Sequence, residues 1–163
     1  MEKSAIISKP LGSTVADRMV RNKSIVSQVI ELIERWKPEC CCIESYSMGS
    51  MSGQAWSRIE FGGLLRYAIV WEKVPIYEVA PLTLKKFATG SGKGEGKTGV
   101  IVGLTRRYGI ELETDDEYDA YALARIAMQI AKFETSATDY QSECIQTITV
   151  PKVKVTKKKR FAP

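Results

Sequence analysis

The sequence predicts an α/β domain with a largely parallel sheet. Three short apolar runs alternate with segments of helical periodicity in the order strand, helix, strand, helix, strand, helix, which favours helices packed on a parallel sheet. A chain of 163 residues is long enough for one domain with a hydrophobic core. We predict a folded domain over residues 1–133 and a loosely ordered tail over residues 134–163, weakly β-like at Ile145–Val150 and basic from Lys152 onward.

Helix caps and chain-breaking residues set the predicted boundaries. Ser13 or Thr14 is placed to cap a long helix, and Lys37-Pro38 ends it. The next strand contains a continuously apolar run, Cys40-Cys41-Cys42-Ile43, which is typical of a parallel strand covered on both faces. Gly62-Gly63 should allow close approach of a neighbour. The predicted elements are strand Ser4–Ser8, the helix after Thr14, strand Glu39–Glu44, helix Ala55–Lys73, strand Ile76–Ala80, helical turn Pro81–Phe87, helix Val100–Tyr108 and a helix from Thr114 to Phe133.

Composition excludes several classes of site. The chain has no histidine, which excludes Ser-His and Cys-His catalysis, and its four cysteines lack zinc-finger spacing. Cys40 to Cys42 are best explained as small apolar residues of a reduced protein. No apolar run approaches the length of a membrane span and no signal-peptide pattern is present, so we expect a cytoplasmic protein. The net charge of +5 indicates a polyanionic partner, and the basic tail either contacts nucleic acid or is a solvated end.

Two carboxylates open the last strongly periodic segment. Thr114 is a suitable N-cap, and Asp116 and Asp119 are three residues apart, on one face of the helix that follows. Carboxylates so close beside a buried surface repel each other unless a cation lies between them, and hard oxygen ligands suit Mg²⁺. The alternative is an acidic, solvated first turn, which the helix dipole also favours. The apolar stripe expected to pack inward is Ala120, Leu123, Ala124, Ala127 and Ile130.

Glu44 ends the apolar strand, where open α/β sheets carry their active-site residues. It either marks the point at which the strand emerges into water or belongs to a ligand site. If Glu44 meets Asp116 and Asp119, three carboxylates form a magnesium site suited to phosphodiester hydrolysis. One metal ion then generates the attacking hydroxide and the other stabilises the leaving oxygen.

A glycine-rich loop over residues 90–99 carries Lys93 and Lys97. It approaches a P-loop pattern, but Ser91 stands where that pattern requires glycine, and a helical turn instead of a strand precedes it. The loop therefore fits a flexible basic segment near DNA phosphates better than an ATP site. An inert surface loop is the alternative.

Four segments stand in order along residues 4–130. They are Lys9-Pro10-Leu11-Gly12, Ile43-Glu44-Ser45-Tyr46, the stretch from Val79 to Gly90 together with Lys97, and the stretch from Asp116 to Ala124. In this order they resemble the RuvC-type Holliday-junction resolvases, particularly the phage and prophage versions, within the RNase H-like superfamily. Each segment alone is modestly specific, and the ordered set is fairly specific.

The resemblance implies an RNase H-like fold with a mixed central sheet flanked by helices. It also implies cleavage of Holliday junctions with two Mg²⁺ ions, or Mn²⁺ in their place, and a homodimer that sets two active sites on one four-way junction. Glu44, Asp116 and Asp119 would be metal ligands, and Lys97 would be catalytic. The implied DNA contacts are Tyr46, Met48, Trp56, Arg58, Lys85, Lys86, Lys93 and Lys97.

The chain departs from the family's pattern at its start. The family begins with a strand that carries an aspartate, followed by a second strand, whereas only Met1-Glu2-Lys3 precedes the first predicted strand here. Asp17 cannot substitute, because it lies in the first turn of the following helix. We expect an incomplete sequence or a wrongly chosen start methionine; the alternative is a truncated protein that binds junctions without cleaving them. Another RNase H-like nuclease, acting on hybrids or other branched DNA, is the third possibility.

Overall fold

A computed structural model of the protein describes residues 4–6, 8–9, 11–46, 53–91 and 96–150. Within these ranges, helices and strands alternate up to the third helix, and three further helices follow without a strand between them. The elements are α1 (Val15–Trp36), β1 (Cys41–Glu44), α2 (Gly53–Trp71), β2 (Ile76–Val79), α3 (Pro81–Thr89), α4 (Gly96–Tyr108), α5 (Asp115–Ile130) and α6 (Asp139–Thr149). None of the described helices combines the length and the apolar character needed to span a bilayer.

The sheet of the described region consists of β1 and β2, which pair in parallel with Cys41 opposite Ile76 and Glu44 opposite Val79. It is therefore parallel and not mixed. The prediction of a strand over Ser4–Ser8 is wrong, since the described residues there have no strand conformation and pair with neither strand. A strand without a ladder partner leaves its backbone groups unpaired. β1 is half-buried instead of covered on both faces.

Thr14 caps α1 as predicted. Its hydroxyl accepts a hydrogen bond from Asp17 N at 3.1 Å, and the Asp17 carboxylate accepts one from Thr14 N at 3.1 Å. The side-chain and backbone hydrogen bonds from Thr14 lower the pKa of Asp17, so this carboxylate belongs to the helix start. At the other end, Lys37 adopts a left-handed conformation with φ 46° and donates its N–H to Ile33 O at 2.7 Å.

The core lies where α3, α4, α5 and α6 meet the end of β2. The inward face of α5 differs from the predicted stripe, since Ala120 is exposed. α5 packs against both the helical core and β1, and on the β1 side the carbonyl oxygen of Ala127 lies 3.6 Å from Cys40 Sγ. The buried residues of α5 are Tyr118, Ala122, Ile126 and Gln129.

The prediction of a loosely ordered, weakly β-like segment up to Val150 is wrong. Thr138 caps α6 by accepting from Gln141 N, and Gln141 and Cys144 are 0% and 2% exposed. Ile145 and Ile148 pack beside them at helical spacing. Burial of this face stabilises a helix despite its β-branched residues. The folded region therefore extends past residue 133, and residues 151–163, with the basic run, lie outside the described residues.

Gly103 tests the close packing of α4 on α3. A Cβ at this position would lie 2.5 Å from Ala88 O, so we expect Gly103→Ala to lower the free energy of unfolding by about 1–3 kcal/mol, although alanine favours helices. Urea unfolding measures the change. The control is Val102→Ala at the exposed neighbouring position, expected within about 0.5 kcal/mol of the unsubstituted protein. Equal stability of the two variants would contradict the close approach.

Candidate active site

Glu44 stands at the carboxyl end of β1, and α5 packs across this strand. Partial burial at the strand end raises the pKa of Glu44 above its ordinary value of 4.5. The negative charge of Asp119 raises it further, Lys85 lowers it, and Asp116 raises it. The structure thus brings two further carboxylates and one ammonium group within electrostatic reach of Glu44. We call Glu44, Asp116 and Asp119 the acidic cluster.

The two aspartates owe their place to the start of α5. Thr114 caps the helix as predicted, since its hydroxyl accepts from Glu117 N at 3.3 Å. Tyr118 anchors the first turn in the core, where its hydroxyl accepts from Leu112 N at 3.2 Å. With Tyr118 turned inward, Asp119 is half-buried and Asp116 is exposed. The acidic first turn of α5 therefore faces water and also lies within electrostatic reach of Glu44 at the end of β1.

The acidic cluster suits a divalent cation by its chemistry. Its donors are carboxylate oxygens, which Mg²⁺ and Mn²⁺ prefer, and a bound cation would relieve the repulsion that Glu44 experiences. Within the described region, no three side chains among Asp, Glu and Cys lie close enough together to hold a metal ion. The cluster is therefore an open arrangement that metal binding would have to draw together.

Lys85 enters the site from α3. Pro81 opens this helix directly after β2 ends at Val79, so Lys85 lies little more than one turn beyond the same sheet edge as Glu44. Its side chain is half-buried. The neighbouring Lys86 turns away, and its Nζ forms an ion pair with Glu143 Oε2 of α6 at 2.5 Å. The two lysines therefore differ in what they contact.

Arg66 is a site residue that the sequence reading missed. From α2 it donates to the carbonyl oxygen of Glu44 at 3.0 Å, to the hydroxyl of Tyr46 at 3.0 Å and to Glu78 at 2.7 Å. Its guanidinium lies 4.3 Å from the Tyr46 ring centroid. This arginine fixes the segment that leaves β1. Arg66 is the single charged residue in the otherwise mostly apolar stretch from Phe61 to Trp71, and this pattern could have identified it.

The residues that the resemblance assigns to DNA have different surroundings. Tyr46 is held against α2, where its hydroxyl donates to Ile59 O at 3.2 Å, and Gly62 provides the predicted close approach to this ring. Gly63 faces open space. Trp56 is 63% exposed, and Arg58 is also exposed. Met48, Lys93 and the side chain of Lys97 lie outside the described residues.

The cysteines beside the site are poor nucleophiles. Burial, with Cys40 and Cys41 adding to it, raises the pKa of Cys42 to about 12. Because the thiolate is the nucleophilic form, such a thiol is inert at neutral pH. The candidate reactive groups at this edge of the sheet are therefore the carboxylates and the lysine.

Comparison with known proteins gives one consistent result. The sequence profile of the family described as Crossover junction endodeoxyribonuclease RuvC matches residues 4–128. The proteins of that name from Prochlorococcus marinus strains MIT 9303 and MIT 9313 are each 30% identical to this chain, over 110 and 121 residues. These alignments cover 66% and 73% of this chain, and 70% and 75% of the relatives.

Two solved structures share the fold. Thermus thermophilus RuvC superimposes with a TM-score of 0.63 at 21% identity, covering 76% of this chain and 73% of that one. T. thermophilus RuvC in complex with a Holliday junction substrate gives 0.56 at 22% identity and covers 64% of each chain. The predicted RNase H-like α/β fold class is thereby confirmed.

The raised pKa of Glu44 gives a pH-dependent prediction. The native state binds this proton more tightly than the unfolded chain, so stability falls as pH rises from 4.5 through the native pKa. We expect Glu44→Gln to be more stable than the unsubstituted protein at neutral pH in EDTA, and this gain to vanish below pH 4.5. Urea unfolding across pH measures it.

The Lys85→Met variant tests the same electrostatic interaction from the opposite charge. Lys85 lowers the pKa of Glu44, so its removal should make the fall in stability with rising pH steeper. A gain for Glu44→Gln that is equal at every pH would contradict the electrostatic origin.

Proposed function

Since the chain belongs to the RuvC family of crossover junction endodeoxyribonucleases, we propose that it is a structure-selective endonuclease that resolves Holliday junctions by metal-dependent phosphodiester hydrolysis. The observation that carries this proposal is the convergence of Glu44, Asp119, Asp116 and Lys85 at one edge of a parallel sheet. Such an enzyme acts in recombination and repair of DNA, in the cytoplasm of a bacterial or phage-infected cell.

The acidic cluster would hold Mg²⁺, with Mn²⁺ as the other candidate. The bound ions would supply an activated water and stabilise the leaving oxygen. Lys85 would donate to a phosphate oxygen, a role supported by its electrostatic effect on Glu44, whose pKa it lowers. Arg66 fixes the backbone at Glu44, so the strand end keeps its orientation. Lys97 remains a proposed catalytic residue on the sequence resemblance alone.

Branched DNA is the proposed substrate. The T. thermophilus RuvC structure with a Holliday junction substrate supports this choice through the shared fold, and the net charge of +5 suits a polyanion. Trp56 and Arg58, both exposed at the start of α2, are proposed DNA contacts, as are Met48, Lys93 and Lys97. Lys86 is a weaker candidate because its ammonium group is paired with Glu143, and Tyr46 has a structural role as well.

We also propose a homodimer that uses the outer face of α2. This helix is apolar on several sides, and its outer face leaves large side chains in solvent. An amphipathic helix needs only one apolar face, so a second one indicates a partner. Tyr67 and Trp71 stack on each other with ring centroids 6.0 Å apart. The exposed residues of this face are Ile59, Tyr67, Val70 and Trp71.

A second candidate is a junction-binding protein that does not cleave. The open state of the acidic cluster favours it, since no three ligands in the described region are gathered around a metal position. This protein would shift branched DNA in a gel in a salt-dependent manner and leave the strands intact.

The principal test uses a synthetic four-way junction with Mg²⁺. We expect paired nicks from the unsubstituted protein, and for Asp119→Asn we expect loss of cleavage with junction binding retained, because the amide is a poorer metal ligand. The control is Asp139→Asn, an exposed acidic residue in the first turn of α6. Binding without nicks from the folded, unsubstituted protein would support the second candidate. Preferred cutting of a flap or an RNA–DNA hybrid would identify a different nuclease.

The α2 surface gives a separate prediction. Tyr67 is 68% exposed, and a buried charge at its position in a dimer would be uncompensated. We expect Tyr67→Glu to weaken self-association by at least about 2 kcal/mol, or roughly thirtyfold in Kd, by analytical ultracentrifugation. Val102→Glu, at an exposed apolar position of α4, is the control. A monomeric unsubstituted protein would refute the dimer.

A further inference from the structure

We propose that Tyr140 of α6 is a positioning residue that holds Lys85 at the acidic cluster through the C-terminal end of α3. The inference rests on the proposed nuclease function for its catalytic consequence. α6 begins at Asp139, beyond residues 4–128 that match the family. The proposed support for Lys85 therefore comes from a helix outside the region that matches the family.

α6 is fixed firmly enough to serve as a support. Gln141 is fully buried, donates to the hydroxyl of Tyr108 at 3.2 Å and accepts from Ala137 N at 3.1 Å. One turn later the Cys144 thiol lies 3.7 Å from Thr83 O of α3. Buried polar groups with both partners in place hold a single orientation. Tyr140 therefore projects from a fixed base.

The Tyr140 ring fills the space beside the end of α3. A Cβ on Gly90 would lie 3.3 Å from this ring. Gly90 has φ +86°, a conformation that favours glycine, and its N–H closes the helix on Lys86 O at 2.8 Å. Arg107 of α4 also contacts Tyr140, donating to its hydroxyl and lying 5.2 Å from the ring centroid. Tyr140 thus contacts both the end of α3, through Gly90, and α4, through Arg107.

The end of α3 is tied in turn to the backbone of Lys85. Thr89 Oγ1 lies 3.0 Å from Lys85 O and 2.7 Å from Ser91 O, either of which can accept its proton, and it accepts from Ser91 N at 3.0 Å. The ion pair of Lys86 with Glu143 holds the side of α3 that faces α6. Successive helical side chains diverge by about 100°, so a helix held on the Lys86 side presents Lys85 in a fixed direction toward Glu44.

Kinetics on the four-way junction test the inference. We expect Tyr140→Ala to lower kcat by roughly 10- to 100-fold, as for other small misplacements of a catalytic group, with little change in KM. Tyr140→Phe keeps the ring beside Gly90 and should retain most of the activity. Gln146→Ala, at an exposed position of the same helix, is the control.

A double-mutant cycle separates positioning from general destabilisation. If Tyr140 acts through Lys85, Tyr140→Ala should have almost no further effect on kcat in a Lys85→Met background. An equal loss of kcat in both backgrounds would overturn the proposal.

Hydrogen exchange makes the test independent of nuclease activity. In Tyr140→Ala, the amide of Gly90 and the last turn of α3 should exchange faster by about tenfold or more, while amides of α1 stay unchanged. Unchanged exchange at Gly90 would overturn the proposal even if kcat falls. If the unsubstituted protein neither binds nor cuts junctions, the proposed function fails, and exchange at Gly90 still decides whether Tyr140 holds α3.

Discussion

The parallel pairing of β1 with β2 is the constraint on which the rest of the site depends. The ladder continues past Glu44, where Ser45 N donates to Val79 O at 2.9 Å, so both strands end at one level. The chain leaves β2 directly into α3 and brings Lys85 to that edge. A shift of one residue in this register would turn the side chain of Glu44 to the other face of the sheet. The position of Glu44 in the candidate active site therefore depends first on the register of β1 with β2.

α5 completes the charged site at this edge of the sheet by bringing Asp116 and Asp119 near Glu44. One side of the helix is buried through Tyr118 and Ile126, and another packs along β1. A helix held on two sides cannot rotate about its axis without losing both contacts. Asp119 is therefore brought near Glu44, and its charge adds to the effect of burial in raising the pKa of Glu44. Such unfavourable pairs are frequent at functional sites, where a ligand offsets the repulsion.

Local signals in the sequence predicted much of this arrangement. Thr14 and Thr114 cap helices through bonds that span three residues, and Lys37-Pro38 ends α1, so a short window contains the information. The meeting of Glu44 with α5 also followed from a general rule on the carboxyl ends of parallel strands.

Features that depend on distant partners were not predictable in the same way. α6 is stabilised by burial of Gln141 and Cys144 against α3 and α4, which outweighs the β-propensity of its isoleucines and threonines. Arg66 acquires its role only when α2 lies beside β1 and β2. The shifted inward face of α5 likewise reflects two packing neighbours, whereas a periodicity argument assumes one.

The cysteine run of β1 has a practical consequence for work on this protein. Burial raises the pKa of Cys42 to about 12, so its thiolate is scarce at pH 7 and maleimides and peroxide should react with it very slowly. A cysteine engineered on an exposed helix face should therefore react with a fluorophore faster than Cys42 does. Spectroscopic labelling could proceed without first replacing Cys42.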